Sequence, residues 1–391
     1  MITRLLPILG ITFIDILGFS ILLPILPYYV KHFGASTIAV GALFSTFALC
    51  QFVAAPLWGH VSDRIGRKTV LIVSQIGATI GWAGLAFAPS LPWVFAARIV
   101  EGLSGGNISV TQAYVADRVE PEQRSRAFAY VGAAFSAGIV LGPVAGGLLL
   151  ARYGYAAPFV LAASLQLVTL LVTIVFLPGD VPAPDETVQT ASLRDIARFL
   201  GDARVSPVLV QKFAYSLGLY AWFAVYALVL GAVAGFGPIQ ISYFFAGFGV
   251  MSIVFQLAVV GRLVDRIGVR SASNAGFAAA VVFFLLVPFL HAPPVLFASQ
   301  ALFAFALAVA NATLATLLTD ASPEHIRGAI LGAGSSLDSA SGIIMPTIST
   351  AVLAALGPPW TGGISAFFCF VALALGIAKQ RSGRNVRHVS A

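Results

Sequence analysis

Twelve apolar stretches, each about twenty residues or longer and so long enough to cross a bilayer as a helix, leave this chain few ways to fold. They run near 5–30, 37–59, 69–88, 92–117, 126–151, 155–177, 207–233, 238–262, 270–290, 294–319, 326–354 and 360–379. In hydrocarbon the backbone finds no water, so a span must satisfy its own hydrogen bonds, and runs of this length do so as α-helices. Composition agrees. Only 9% of the 391 residues are Asp, Glu, Lys or Arg, against about 25% in soluble domains. The net charge of +7 comes from bases that lie mostly in the connections, so it does not point to nucleic acid. Cys50 and Cys369 both fall inside apolar runs and read as small hydrophobes rather than a disulfide. Residues 1–30 begin like a signal peptide with Arg4 and an apolar run. Asp15, Pro24 and Pro27 interrupt that run and no small-residue cleavage site follows, so a retained first span is expected.

Only one connection is long. From Pro178 to Ser206 it carries eight charged residues, among them Asp185, Glu186, Arg194 and Arg204, and Ser192 is placed to cap a short amphipathic helix from Leu193 to Leu200. Twelve spans put both termini on one face of the membrane. Of 22 Lys and Arg, 18 fall on that face, Lys31 and Arg152 lie on the other, Lys212 lies near the start of span 7 and Arg98 within span 4. Basic loops mark the cytoplasmic side, so both termini and the central connection are expected there.

The chain repeats itself. Gly59-His-Val-Ser-Asp-Arg-Ile-Gly-Arg-Lys68 returns as Gly261-Arg-Leu-Val-Asp-Arg-Ile-Gly-Val-Arg270, an offset of 202. Pro121-Glu122 and Pro323-Glu324, after spans 4 and 10, stand at the same offset. The expected architecture is therefore an all-α membrane protein of twelve helices in two pseudo-symmetric six-helix bundles. The expected parts are an N-terminal bundle over 1–177, a cytoplasmic linker over 178–206, and a C-terminal bundle with a basic tail over 207–391.

Ionisable residues inside spans are costly and are functional by default. Asp15 lies about ten residues into span 1, where burial would favour a proton on its carboxyl. Arg98 and Glu101, three apart on span 4, share a helix face. They read either as a proton relay or as a fixed brace, with Glu101 the member able to exchange a proton. Asp338 sits mid-span in the second half among serines, while its counterpart near Phe135 is not acidic. It reads as a functional acid or as a packing acid bonded to those serines. Tyr215, Leu219, Trp222 and Tyr226 form one stripe of span 7. That stripe is a cavity wall for a flat amphipathic substrate or ordinary packing. The amides Gln256 and Asn311 are substrate contacts or interhelical bonds. Gly138, Gly142, Gly146 and Gly147, with the kinking Pro143, let another backbone approach span 5 closely.

These features resemble the major facilitator superfamily over nearly the whole chain. Gly59, Asp63, Arg64, Gly66, Arg67 and Lys68 match its Gly-x-x-x-Asp-Arg-x-Gly-Arg-Lys loop. The resemblance implies a cytoplasmic latch, with Asp63 paired to Arg67 and facing the N-terminal end of span 11, and Arg67 reaching Asp117. Gly138, Gly142, Pro143, Gly146 and Gly147 match the superfamily's drug/proton antiporter signature. Arg98 to Gly102 is similar to its Arg-x-x-Gln-Gly pattern, with Glu101 in place of Gln. Asp15 before Gly18 and Leu23-Pro24, and the run Ala113 to Asp117, are similar to tetracycline-efflux proteins. The chain departs from those proteins at Gly81, Ser252 and Ala280, where they carry an acid, a His and an acid.

The reading is a secondary transporter that exports an amphipathic, drug-like molecule in exchange for protons by alternating access, of the multidrug or antibiotic-resistance kind. Proton-coupled import or facilitated uptake of a small solute is the alternative. A lipid scramblase or a non-transporting receptor belongs to a different class. No Gly-x-x-x-x-Gly-Lys-Ser/Thr loop, metal-spaced His cluster, Cys-His pair or nucleophile elbow is present, so neither an enzyme nor a metal site is expected. No cofactor is expected beyond the proton gradient. The expected partners are the substrate, protons and the lipid bilayer, for a monomer in the inner or plasma membrane.

Overall fold

The computed structural model describes residues 2–105, 115, 119, 121–177, 198–202, 204–323 and 326–389. Helices α1 to α6 are Ile2–His32, Thr37–Ile65, Arg67–Ala86, Leu91–Leu103, Pro121–Tyr153 and Ala156–Phe176. Helices α7 to α12 are Ser206–Ala234, Pro238–Ile267, Val269–Leu285, Pro293–Ala321, Arg327–Leu356 and Pro358–Val389. Ten of these are long and apolar enough to cross a membrane. The other two occupy the expected spans 4 and 9. The fourth is described as far as Leu103, and most of its expected continuation lies outside the described residues. The ninth ends at Leu285, where a 3-10 turn at Val287–Phe289 forms around Pro288.

Sequence sets where these helices begin and end. Ser36 accepts from the Ala39 amide and caps α2. Gly66 separates α2 from α3 at φ 96°, ψ 151°. Gly268 separates α8 from α9 at φ 79°, ψ 157°. Side-chain-bearing residues essentially do not adopt that region, so the second glycine of each repeated loop is a conformational requirement. The first, Gly59 or Gly261, is helical and a methyl there would meet nothing within 4 Å. Lys68 then donates to the carbonyls of Ile174 at 2.9 Å and Leu177 at 2.7 Å, covering the end of α6 where the backbone lacks helical partners.

Contacts divide the chain into two compact units, Met1–Thr187 with Phe236–Gly247, and Val188–Gly235 with Phe248–Ala391. The first part of α8 therefore groups with the N-terminal helices, a departure from a division made only at the linker. Two contacts account for it: Tyr28 Oη donates to the Phe236 carbonyl at 3.0 Å, and Gly147 opens a gap that Ser242 fills. In the first unit, Ile8, Ile11, Val70, Leu71, Val115 and Ala127 form one buried cluster. In the second, the end of the linker docks by Phe199 against Leu209, Leu318, Ile330 and Ala333. Most of the amphipathic helix expected from Leu193 lies outside the described residues, although 198–201 is helical. Apolar side chains such as Val175, Leu257 and Phe370 remain exposed, as lipid-facing surfaces do. Both cysteines are free thiols; Cys369 is buried, where Gly218 leaves it room.

Candidate functional site

The first unit seals an ion pair among α2, α3 and α4. Arg98 Nη1 donates to Glu101 Oε2 at 2.5 Å, and the Arg98 guanidinium lies 3.9 Å from the centre of the Phe47 ring. Arg98 is 0% and Glu101 8% exposed. Among the described residues, Arg98 Nε and Nη2 have no hydrogen-bond partner, so the guanidinium depends on one carboxylate and one aromatic face. Two glycines make the pocket. A methyl on Gly81 would stand 2.9 Å from Glu101 Cβ, and one on Gly102 would stand 2.7 Å from Cys50 Cβ. A side chain at position 81 would press on Glu101 and on the backbone of Ala97 in α4. Asp15 is half-buried on α1, one turn before Gly18, whose face packs on the Trp82 ring.

The glycines of α5 form a seam with α1. Ser20 Oγ donates to the Gly138 carbonyl at 2.8 Å. A methyl on Gly138 would lie 2.8 Å from the Phe13 carbonyl oxygen, and one on Gly142 would lie 2.5 Å from that of Leu17. Gly146 abuts Ile21 and Ile25, and Gly147 abuts Ser242. Pro143, between them, is buried. In the repeated loop, Arg64 is exposed and Arg67 Nη1 donates to Ser62 Oγ at 2.5 Å. The expected pairings of Asp63 and Asp117 fall outside the described side chains.

The second unit holds a different pair. Lys212 Nζ on α7 donates to Asp338 Oδ2 on α11 at 2.6 Å, and Ser216 Oγ donates to Asp338 Oδ1 at 2.5 Å. Asp338 is thus bonded across to α7, rather than to the serines of its own helix; Ser335, Ser336, Ser339 and Ser341 bond to carbonyls within α11. Sequence reasoning singled out Asp338 and missed Lys212. The signal was available, since a lysine inside an apolar span needs a partner as much as an acid does. The side chains are 20% and 30% exposed, so this pair is open where Arg98–Glu101 is closed.

The aromatic stripe of α7 packs inward. Trp222 is 0% exposed, with its ring centre 5.4 Å from Tyr226 and 5.3 Å from Phe283. Tyr226 Oη donates to Gln300 at 3.0 Å, and Tyr215 packs on Phe277. These three rings are core of the second unit rather than a cavity wall. Gln256 and Asn311 are exposed, the first within a π-helical turn at Gln256–Val260.

Long apolar helices, one holding a buried ion pair within itself and two joined by a half-buried one, mark a multi-pass membrane protein. The family model of the Major Facilitator Superfamily matches residues 8–237 and 209–388, and the chain belongs to that superfamily. It is 29% identical over 375 residues to the tetracycline resistance protein, class B, of Escherichia coli, covering 93% of both chains. It is 31% identical over 364 residues to the class C protein of Escherichia coli, covering 92% of this chain and 91% of that one. The solved structure of a bacterial homolog of the human lysosomal transporter Spinster, inward-facing and unoccupied, superposes with a TM-score of 0.79. Identity is 14%, and 97% of this chain and 96% of that one are covered, which shows the shared fold.

Proposed function

We propose that this protein exports an amphipathic, drug-like small molecule in exchange for protons by alternating access. It would do so as a monomer in the inner or plasma membrane with both termini cytoplasmic. The observation that carries the proton part is the sealed Arg98–Glu101 pair. A guanidinium keeps its proton under all working conditions, so only Glu101 can trade one. Protonating Glu101 removes the charge that neutralises Arg98 and leaves the cation against Phe47. A membrane-buried pair with that property has two electrostatic states separated by one proton, and a proton that binds the two conformations unequally can shift the equilibrium between them, which coupling of alternating access to protons requires. The names of its relatives, tetracycline resistance proteins, support export of a drug-like substrate. Glu101 set against Gly81 supplies from α4 the carboxylate that the tetracycline-efflux resemblance places on span 3. Asp15 and Asp338 are the further acids on the path.

The test is transport in proteoliposomes with an imposed pH gradient. Inward-directed protons should drive efflux of an amphipathic dye from the native protein. Glu101→Gln should bind the dye and lose the response to the gradient. Equal gradient-driven efflux by native protein and Glu101→Gln would remove this proton carrier, and co-directional movement of dye and protons would favour uptake.

A further inference from the structure

The open ion pair of the second unit carries more than a structural role. Lys212 stands six residues past the start of α7, about 9 Å along the helix axis. A lysine near a helix end ordinarily turns its ammonium outward to the interface. Here the shaft runs the other way. Its Cε would be 3.1 Å from a methyl on Gly334, and its Nζ bonds Asp338 one turn further into α11. The missing side chain at Gly334 is the channel along which the shaft passes. Asp338 holds the ammonium at this level of α11, with Ser216 fixing the other carboxylate oxygen.

The same face of α7 continues with Ser216, Tyr220 and Phe223, at i+4, i+8 and i+11 from Lys212. All but Ser216 are half-buried. This is a second stripe, distinct from the core stripe of Tyr215, Trp222 and Tyr226, and it offers a cation, a hydroxyl and two aromatic rings in order. Among the described residues, Asp338 is the ion-pair partner of Lys212. Neutralise or displace that carboxylate, and the ammonium needs another anion or must leave the site.

We infer that Lys212 is the anion-binding element of a substrate site on this face, which takes amphipathic molecules bearing a carboxylate or sulfonate, with Asp338 acting as the built-in competitor. The substrate anion replaces Asp338 on Nζ, and its apolar body lies along Tyr220 and Phe223. The inference names the substrate class for the proposed exporter and rests on that reading for the direction of traffic only; the anion site itself needs no gradient.

The experiment is equilibrium dialysis on full-length protein in nanodiscs of zwitterionic lipid. The probes are naphthalenesulfonate and naphthalenemethanol, which share an aromatic body and differ in charge. Asp338→Asn should bind the sulfonate at least about tenfold more tightly than native protein, the size of a charge-assisted hydrogen bond gained. The charge-free variant Lys212→Gln/Asp338→Asn should lose that gain and fall below native, while naphthalenemethanol binds all three alike. If Asp338→Asn yields no monodisperse protein, native against the charge-free variant decides, with sulfonate binding expected to fall while naphthalenemethanol holds. Equal sulfonate affinity with and without Lys212 would overturn the inference. Because no pH gradient is imposed, sulfonate selectivity without gradient-driven efflux would uphold the anion site and sink the exporter. Gradient-driven efflux without selectivity would do the reverse.

Discussion

Cutting the sealed pair from each side should give unequal results. Arg98→Met leaves Glu101 buried beside an apolar side chain, and the carboxyl can meet that by binding a proton. Glu101→Leu leaves a guanidinium at 0% exposure with the Phe47 ring 3.9 Å away, and it has no neutral form to adopt. Removing one partner of a buried pair costs about 3–5 kcal/mol, and the Phe47 ring, which already touches the native guanidinium, offsets none of it. For a unit of roughly 200 residues, 1 kcal/mol moves the midpoint by about 2–4 °C, so Glu101→Leu should lower Tm by about 6 °C or more. Arg98→Met should lower it less. The double variant Arg98→Met/Glu101→Leu removes both charges and should recover most of the loss, because a buried pair replaced by apolar side chains is often neutral in stability. Scanning fluorimetry of the four proteins in one detergent gives the cycle, and all three variants should fail to couple transport to protons. Losses that simply add in the double variant, to within about 0.5 kcal/mol, would refute the reasoning, since independent sites add and coupled ones do not.

Gly142→Ala drives a methyl to 2.5 Å from the Leu17 carbonyl oxygen, and backbone cannot step aside, so it should cost about 1–3 kcal/mol; Gly132→Ala, helical with nothing within 4 Å, should raise Tm slightly. Gly66→Ala should cost about 1–3 kcal/mol through its φ of 96°, whereas Gly59→Ala in the same loop should raise Tm slightly, since alanine is the better helix former. Asp15→Asn should abolish gradient-driven efflux while leaving dye binding measurable, and retained efflux would move the proton path elsewhere.

The spans and the repeat were legible because they depend on length, periodicity and charge counting along one dimension. The glycine seam of α5 was legible too, since Gly138, Gly142 and Gly146 at four-residue spacing define a face whichever helix meets it. Rotation about the helix axis was not. Tyr215, Trp222 and Tyr226 obey the periodicity of a cavity wall and of a core alike, and only the neighbouring Phe277, Phe283 and Phe284 decide between them. The same limit hid Lys212. Its partner lies 126 residues away, and no local pattern says that α7 and α11 turn Lys212 and Asp338 toward one another.

The two units join their corresponding helices, α1 with α5 and α7 with α11, by opposite means. A joint made from absent side chains admits one kind of change: every replacement at Gly138 or Gly142 adds bulk, and the lineage that carries it loses the joint. A joint made from two charges can be rewritten. Replacing Asp338, replacing Lys212, or exchanging both presents a different sign on the same scaffold, each within one or two substitutions. Heritable shifts in what the protein accepts should therefore accumulate along α7 and α11, while the α1–α5 joint descends unchanged beside them.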